Sequence, residues 1–217
     1  KCKETIHMKD IKRYSPVEFK VTPLKIENRD HWDVVLEYHG EGEGPWLVDL
    51  CHRTRLDLQT GSLDTKKPFG IKIPETPGRS VLEKGMLVNR MNRIEASLYH
   101  LDGEPIKIPG EAEYTDVTEA TLFLAIIGRP AFAICEKLSA LDLTDPEKKP
   151  PFLFQGPFSH VPCQIVTMSR DGEKSGIVLT CSRGYAKHMV DAILHAGEEF
   201  GLTPAGEKRF TSWINSL

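Results

Sequence analysis

A chain of 217 residues, 40% hydrophobic and 27% charged, is long enough to bury a core of its own and has the make-up of an ordinary soluble protein. Its formal charge of -3 leaves no basic footprint for nucleic acid, and no apolar run is long enough to cross a bilayer. Cys2, Cys51, Cys135, Cys163 and Cys181 are too widely spaced for a metal site, so they read as reduced core thiols of a cytoplasmic protein.

Residues 1–14 are basic and weakly periodic, and read as a solvated arm. From Ser15 to Asn28, Val17, Phe19, Val21, Leu24 and Ile26 mark an irregular strand. Trp32–Tyr38 reads as a firmer strand and His39–Pro45 as a turn, because alternating Gly and Glu cannot pack. Trp46–Leu58 reads as one strand, kinked near His52. The Gly- and Pro-rich stretch from Gln59 to Lys84 reads as an excursion carrying strand pieces such as Phe69–Ile73. Met86–Leu101 alternates like strand, and Asp102–Tyr114 is loop. Thr121–Gly128 is apolar without alternation, which predicts a central strand. Pro130 suits a first helical turn, and a helix follows to Leu141.

After a charged connector and the short run Phe152–Phe154 comes the plainest unit in the chain, Ser159–Gly206. Val161–Val166 and Ile177–Cys181 predict two strands joined by the polar turn Ser169–Gly176. Ser182 is then placed to cap a helix bearing Tyr185, Met189, Ile193 and Ala196, which ends at Gly201. The order from Thr121 onward predicts an α+β class, with helices on one face of a mostly antiparallel sheet. The chain reads as an arm, 1–14, and one α+β unit, 15–217, with a subdivision near 115–120.

Chemistry is sparsely marked. There is no nucleophile elbow, phosphate loop or dinucleotide fingerprint. His188 and His195 lie a heptad apart, not at metal-ligand spacing, and read as helix-surface residues. His52, between an apolar run and two arginines, stands out but reads first as structural. Arg53, Arg55, Arg90 and Arg93 read as solvated partners of Asp49, Asp57 and Glu95, the alternative being an anion-binding face.

Four segments carry a family resemblance. They are Val48-Asp-Leu-Cys-His52; Ala125-Ile-Ile-Gly-Arg-Pro130; Val161-Pro-Cys-Gln-Ile165 with the helix from Tyr185 to Gly201; and Leu202-Thr-Pro-Ala-Gly206. In this order they resemble the folate-binding aminomethyltransferases, the T-protein family of glycine cleavage. The resemblance implies that family's α+β folate-binding fold without its C-terminal barrel. It places Glu95 at or near the family's catalytic Asp, taking Tyr99 as the anchor. It offers Arg53, Tyr99 and Arg209 as cofactor-binding candidates for tetrahydrofolate, and Asp102 or Asp116 as further carboxylates near the amine. Val178 falls where the family has its pterin-holding Glu, and a valine accepts no hydrogen bond. In size and reduction the chain is similar to the γ subunit of heterotetrameric sarcosine oxidase. That likeness implies an accessory subunit of a larger flavin- or folate-bearing partner in one-carbon or methylated-amine metabolism. The alternatives are a minimal tetrahydrofolate-dependent methyl- or aminomethyltransferase, and a regulator that binds a small anion.

Overall fold

The computed structural model describes residues 12–104 and 106–217; most of the expected arm, and Cys2, lie outside the described residues. The first elements are β1 (Pro23–Arg29) and β2 (Trp32–Tyr38), an antiparallel ribbon. Asp30 and His31 turn it with φ of 48° and 65°, the left-handed pair that a two-residue hairpin requires. The strand expected from Ser15 starts only at Pro23, because Val17 and Phe19 leave the ribbon to pack on the main core.

Trp46–Leu58 is not one strand. It divides into β3 (Trp46–Asp49) and β4 (Arg55–Gln59), which belong to different sheets, and Leu50–Thr54 is the crossing between them. The first half is apolar and the second alternates without a turn signal between them, so the sequence shows a kink where the chain in fact changes sheets. β5 (Ser80–Glu83), β6 (Met86–Arg90), β7 (Glu95–His100) and β8 (Tyr114–Asp116) join β4 in a five-stranded antiparallel sheet, ordered β5-β6-β7-β4-β8. The strand expected at Phe69–Ile73 is a 3-10 turn at Pro68–Gly70; Ile71 and Ile73 close the outer face of this sheet as loop residues.

The chain then returns to the first sheet as β9 (Thr121–Ile127). After α1 (Ala131–Glu136) come β10 (Phe152–Phe158), β11 (Val161–Ser169), β12 (Gly176–Ser182), α2 (Ala186–Gly197), β13 (Thr203–Ala205) and α3 (Glu207–Ile214). The six-stranded order is β10-β11-β12-β9-β3-β13, antiparallel except for β13 beside β3. β9 is central, as its unbroken hydrophobicity requires. Gly201 ends the α2 region at φ 71°, but Ser182 makes no side-chain cap: a 3-10 turn at Arg183–Tyr185 intervenes before α2.

Alternate residues of the six-stranded sheet face two cores. Leu122, Leu124, Ile126, Ile165, Ile177 and Leu179 pack under α1 and α2. Phe123, Ala125, Ile127, Val166 and Val178 face Leu87 and Tyr99 of the five-stranded sheet and Leu101 just beyond it, together with Phe210 and Trp213 of α3. The expectation of helices on one face therefore holds for α1 and α2 and fails for α3, whose aromatic pair fills the opposite layer. No helix among the described residues is long and apolar enough to cross a membrane. Cys51, Cys135, Cys163 and Cys181 are buried free thiols; burial pushes Cys51 and Cys135 up, away from thiolate chemistry.

Candidate functional site

Ionisable side chains gather in two places. The first forms where α3 starts. Gly206 lies so close to β2 that a Cβ there would come within 2.3 Å of the Leu36 carbonyl carbon, which sets Glu207 inward over the Leu50–Thr54 crossing. Arg29 grips Glu207 with a fork, Nη1 to Oε1 at 3.0 Å and Nη2 to Oε2 at 2.8 Å. His52 Nε2 meets Oε1 at 2.7 Å, and Arg53 Nη2 donates to the same oxygen at 2.8 Å. Burial disfavours the Glu207 charge, but the hydrogen bonds and charges of His52, Arg29 and Arg53 prevail and hold it ionised down to about 2. Burial pulls Arg53 down to about 10 against the attraction of Glu207, and its guanidinium lies 4.8 Å over the Phe210 ring. The Arg29 fork satisfies both Glu207 oxygens by geometry, whereas Nε and Nη1 of Arg53 are buried without a hydrogen-bond partner among the described residues. Beside it, Ser15, Trp32, Tyr38, Asp49 and His52 help to wall a cavity of about 110 Å³.

The other arginines are also committed. Arg55 is fully buried and donates to main-chain carbonyls at Arg53 (2.7 Å), Thr121 (3.0 Å) and Thr118, and to Thr121 Oγ1 at 2.8 Å. Arg90 is bound by Asp64 Oδ1 at 2.6 Å and by the carbonyls of Asn92 and Arg93. Arg209 donates through Nε to Glu41 Oε2 at 3.0 Å, while Glu41 Oε1 takes the main-chain N–H groups of Tyr38 and Gly206, each at 2.8 Å. The solvated reading of Arg53, Arg55 and Arg90 is thus corrected: they are interior residues, and none hydrogen-bonds to Asp49, Asp57 or Glu95. The partners of Arg55 and Arg90 are chiefly backbone oxygens, which no side-chain pattern announces.

The second place is a polar row on the face of the five-stranded sheet that meets the six-stranded one. Register pairs Arg55 with Tyr99, Asp57 with Ser97 and Gln59 with Glu95, so Asp57, Glu95, Ser97 and Tyr99 share this face. Tyr99 donates to Gln164 Oε1 across the layer, accepts from Ser97 Oγ at 3.2 Å and lies 3.4 Å from Thr180 Oγ1. Asn89 Nδ2 donates to Ser97 Oγ at 3.3 Å. Asp57 is half-buried; burial, and then the charge of Glu95, push it up to about 6. Glu95 accepts from Asn92 Nδ2 at 3.0 Å. Burial raises Tyr99 to about 12, so it remains a neutral hydroxyl at physiological pH. A carboxyl titrating near 6 is matched to proton transfer near neutral pH.

The structure therefore joins Glu95 and Tyr99, adds Asp57, Gln164 and Thr180, and keeps Arg53 and Arg209 elsewhere. Asp57 was legible only as an ion partner; the period-two spacing of Glu95, Ser97 and Tyr99 was the available sign of a common face. Asp116 lies on the opposite face, opposite Leu56, and Asp102 packs on Gly85. Val178 is fully buried between Val166 and Ala125. His188 is exposed, with Nε2 3.0 Å from the Ser159 carbonyl, and no group of three His, Cys, Asp or Glu suited to a metal occurs among the described residues.

No family model and no curated protein sequence matches the chain. Among solved structures, it is similar to a chain of the heterotetrameric sarcosine oxidase from Corynebacterium sp. U-96 in complex with pyrrole 2-carboxylate. There the TM-score is 0.58 at 19% identity, over 72% of this chain and 85% of that one. It is also similar to the glycine cleavage system aminomethyltransferase T from Bartonella henselae, with a TM-score of 0.54 at 14% identity. That match covers 85% of this chain and 56% of the other, so the chain spans little more than half the length of the transferase. At these identities the likeness is one of fold, and the fold is aminomethyltransferase-like.

Proposed function

We propose that the chain is a non-catalytic accessory subunit, acting in one-carbon or methylated-amine metabolism beside a larger flavin- or folate-bearing partner in the cytoplasm. The observation that carries this reading is Val178. The family resemblance sets it where the transferases have their pterin-holding carboxylate; here it is fully buried, with Val166 and Ala125 beside it in the sheet. A pterin there would find neither room nor a hydrogen-bond acceptor. The pairing of Arg53 with Glu207 and of Arg209 with Glu41 supports the same reading, since each guanidinium already has a carboxylate as its counter-charge. Likeness in fold to a chain of a heterotetramer agrees with a partner-dependent role.

A second reading, a minimal tetrahydrofolate-dependent methyl- or aminomethyltransferase, is favoured by one observation. Asp57, Glu95 and Tyr99 share a face, and Asp57 titrates near neutrality. One paired experiment separates the two. Calorimetric titration of the purified chain with tetrahydrofolate is expected to give no heat of binding. Affinity purification of the tagged chain from its native cells is expected to retain a protein with flavin absorbance. Micromolar tetrahydrofolate binding that is lost in both Glu95→Gln and Asp57→Asn would overturn the accessory reading.

A further inference from the structure

Strand β1 has the sequence Pro-Leu-Lys-Ile-Glu-Asn-Arg and covers almost nothing. All its residues are exposed except the half-buried Arg29, with Leu24 at 56% and Ile26 at 53%. One edge pairs with β2; among the described residues nothing pairs with the other. A two-stranded ribbon with an apolar open edge gains from an added strand, and an unpaired edge is a template for one.

We propose that β1 is the self-pairing edge of a homodimer, in which two copies of the chain join these strands antiparallel about a two-fold axis through Ile26. Charge selects this arrangement over its rivals. With the axis at Ile26, Lys25 of each copy faces Glu27 of the other, Ile26 faces Ile26, and Leu24 faces Asn28. An axis at Glu27 would set Glu27 against Glu27 and Lys25 against Arg29. A parallel pairing would lay each charge beside its own kind. Opposite charges directly across an antiparallel pair are favourable and like charges are not; an axis at Asn28 would also oppose Glu27 and Arg29, but Arg29 is already held by Glu207, so the axis at Ile26 is the register that pairs exposed opposite charges. Lysine on a sheet edge commonly wards off other strands; here alternation with Glu27 makes that guard selective for the chain's own sequence. The missing N–H of Pro23 and the two breaks in register, between Pro23 and Lys25 and between Lys25 and Ile26, confine the pairing to a short stretch about Ile26. So short a contact makes a weak, concentration-dependent dimer.

Sedimentation velocity on the full chain over a wide concentration range tests this. Reversible dimerisation is expected in the wild type. Lys25→Glu and Glu27→Lys are each expected to weaken it by about tenfold or more, with circular dichroism unchanged, because both side chains stand in solvent. The decisive sample is an equimolar mixture of the two single variants, in which every cross-strand pair is again opposite in sign. It is expected to associate at wild-type concentration, as is the double variant Lys25→Glu/Glu27→Lys. A wild type that stays monomeric throughout, a dimer indifferent to both reversals, or protection of the β1 amides from exchange only when a different protein is bound would each overturn the proposal.

Discussion

Glu207 and Asp57 are both carboxylates drawn out of bulk water, and the chain treats them in opposite ways. Around Glu207 it sets Arg29, His52 and Arg53, so that the acid remains charged down to about 2. Around Asp57 it sets hydroxyls, an amide and a second acid, so that the carboxyl reaches about 6. Compensated charge ties α3 to the strand crossing, and every Glu207 oxygen is taken by a cation or by His52. Uncompensated charge at a half-open face is where proton chemistry would have to occur, if the molecule performs any.

The sharpest way to break this contrast is Glu207→Gln. It leaves the buried Arg53 without a counter-charge and Arg29 with only the exposed Glu27, and a loss of about 3–5 kcal/mol in urea unfolding is expected. A loss below about 1 kcal/mol would mean that solvent already screens the cluster. Acid comes next. Because the folded value of Glu207 lies below its ordinary 4.5, its contribution is complete above that pH and is lost as pH falls toward about 2. Unfolding measured along this limb should lose about 3 kcal/mol, and the Gln variant should lack the limb. The sign reverses at Asp57, whose folded value is raised. Asp57→Asn should stabilise at pH 7 by about 1 kcal/mol, discounted for its partial exposure. That gain should vanish as pH falls through about 6 toward 3.8, where the wild-type carboxyl is protonated in both states. The smallest effect belongs to a side chain outside both regions. His195→Ala, on the exposed side of α2, should change the melting free energy by less than about 0.5 kcal/mol.

What could be read from the sequence follows the reach of each signal. β9 and the β11–β12–α2 unit were legible because their apolar residues repeat at the period of one element and need only neighbouring chain to make sense. The division of Trp46–Leu58 was not, because the apolar run of β3 passes into the alternation of β4 with no turn residue between, and only distant strands decide which sheet takes each half. Helix α3 was passed over because a helix of this length, Glu207–Ile214, shows little more than the pair Phe210 and Trp213. At the candidate site, Glu95 and Tyr99 were found through a family likeness, while Asp57 needed the β4–β7 register to bring it alongside. Burial of Arg55 left no trace in composition, since backbone oxygens are the same in every sequence.

Arg55 has a wider consequence for how such a molecule changes over time. The chain departs from its central sheet after Asp49 and comes back at Thr121, and this one guanidinium bonds to carbonyls on both sides of the gap, at Arg53 and at Thr121. Departure and return share a doorway. The whole five-stranded sheet hangs from it as an inserted excursion whose two ends are neighbours. Closing such an excursion costs free energy that grows only with the logarithm of its length, about 0.6 kcal/mol for each doubling. Strands can therefore be gained, shortened or exchanged beyond the doorway while the register of the central sheet stays fixed.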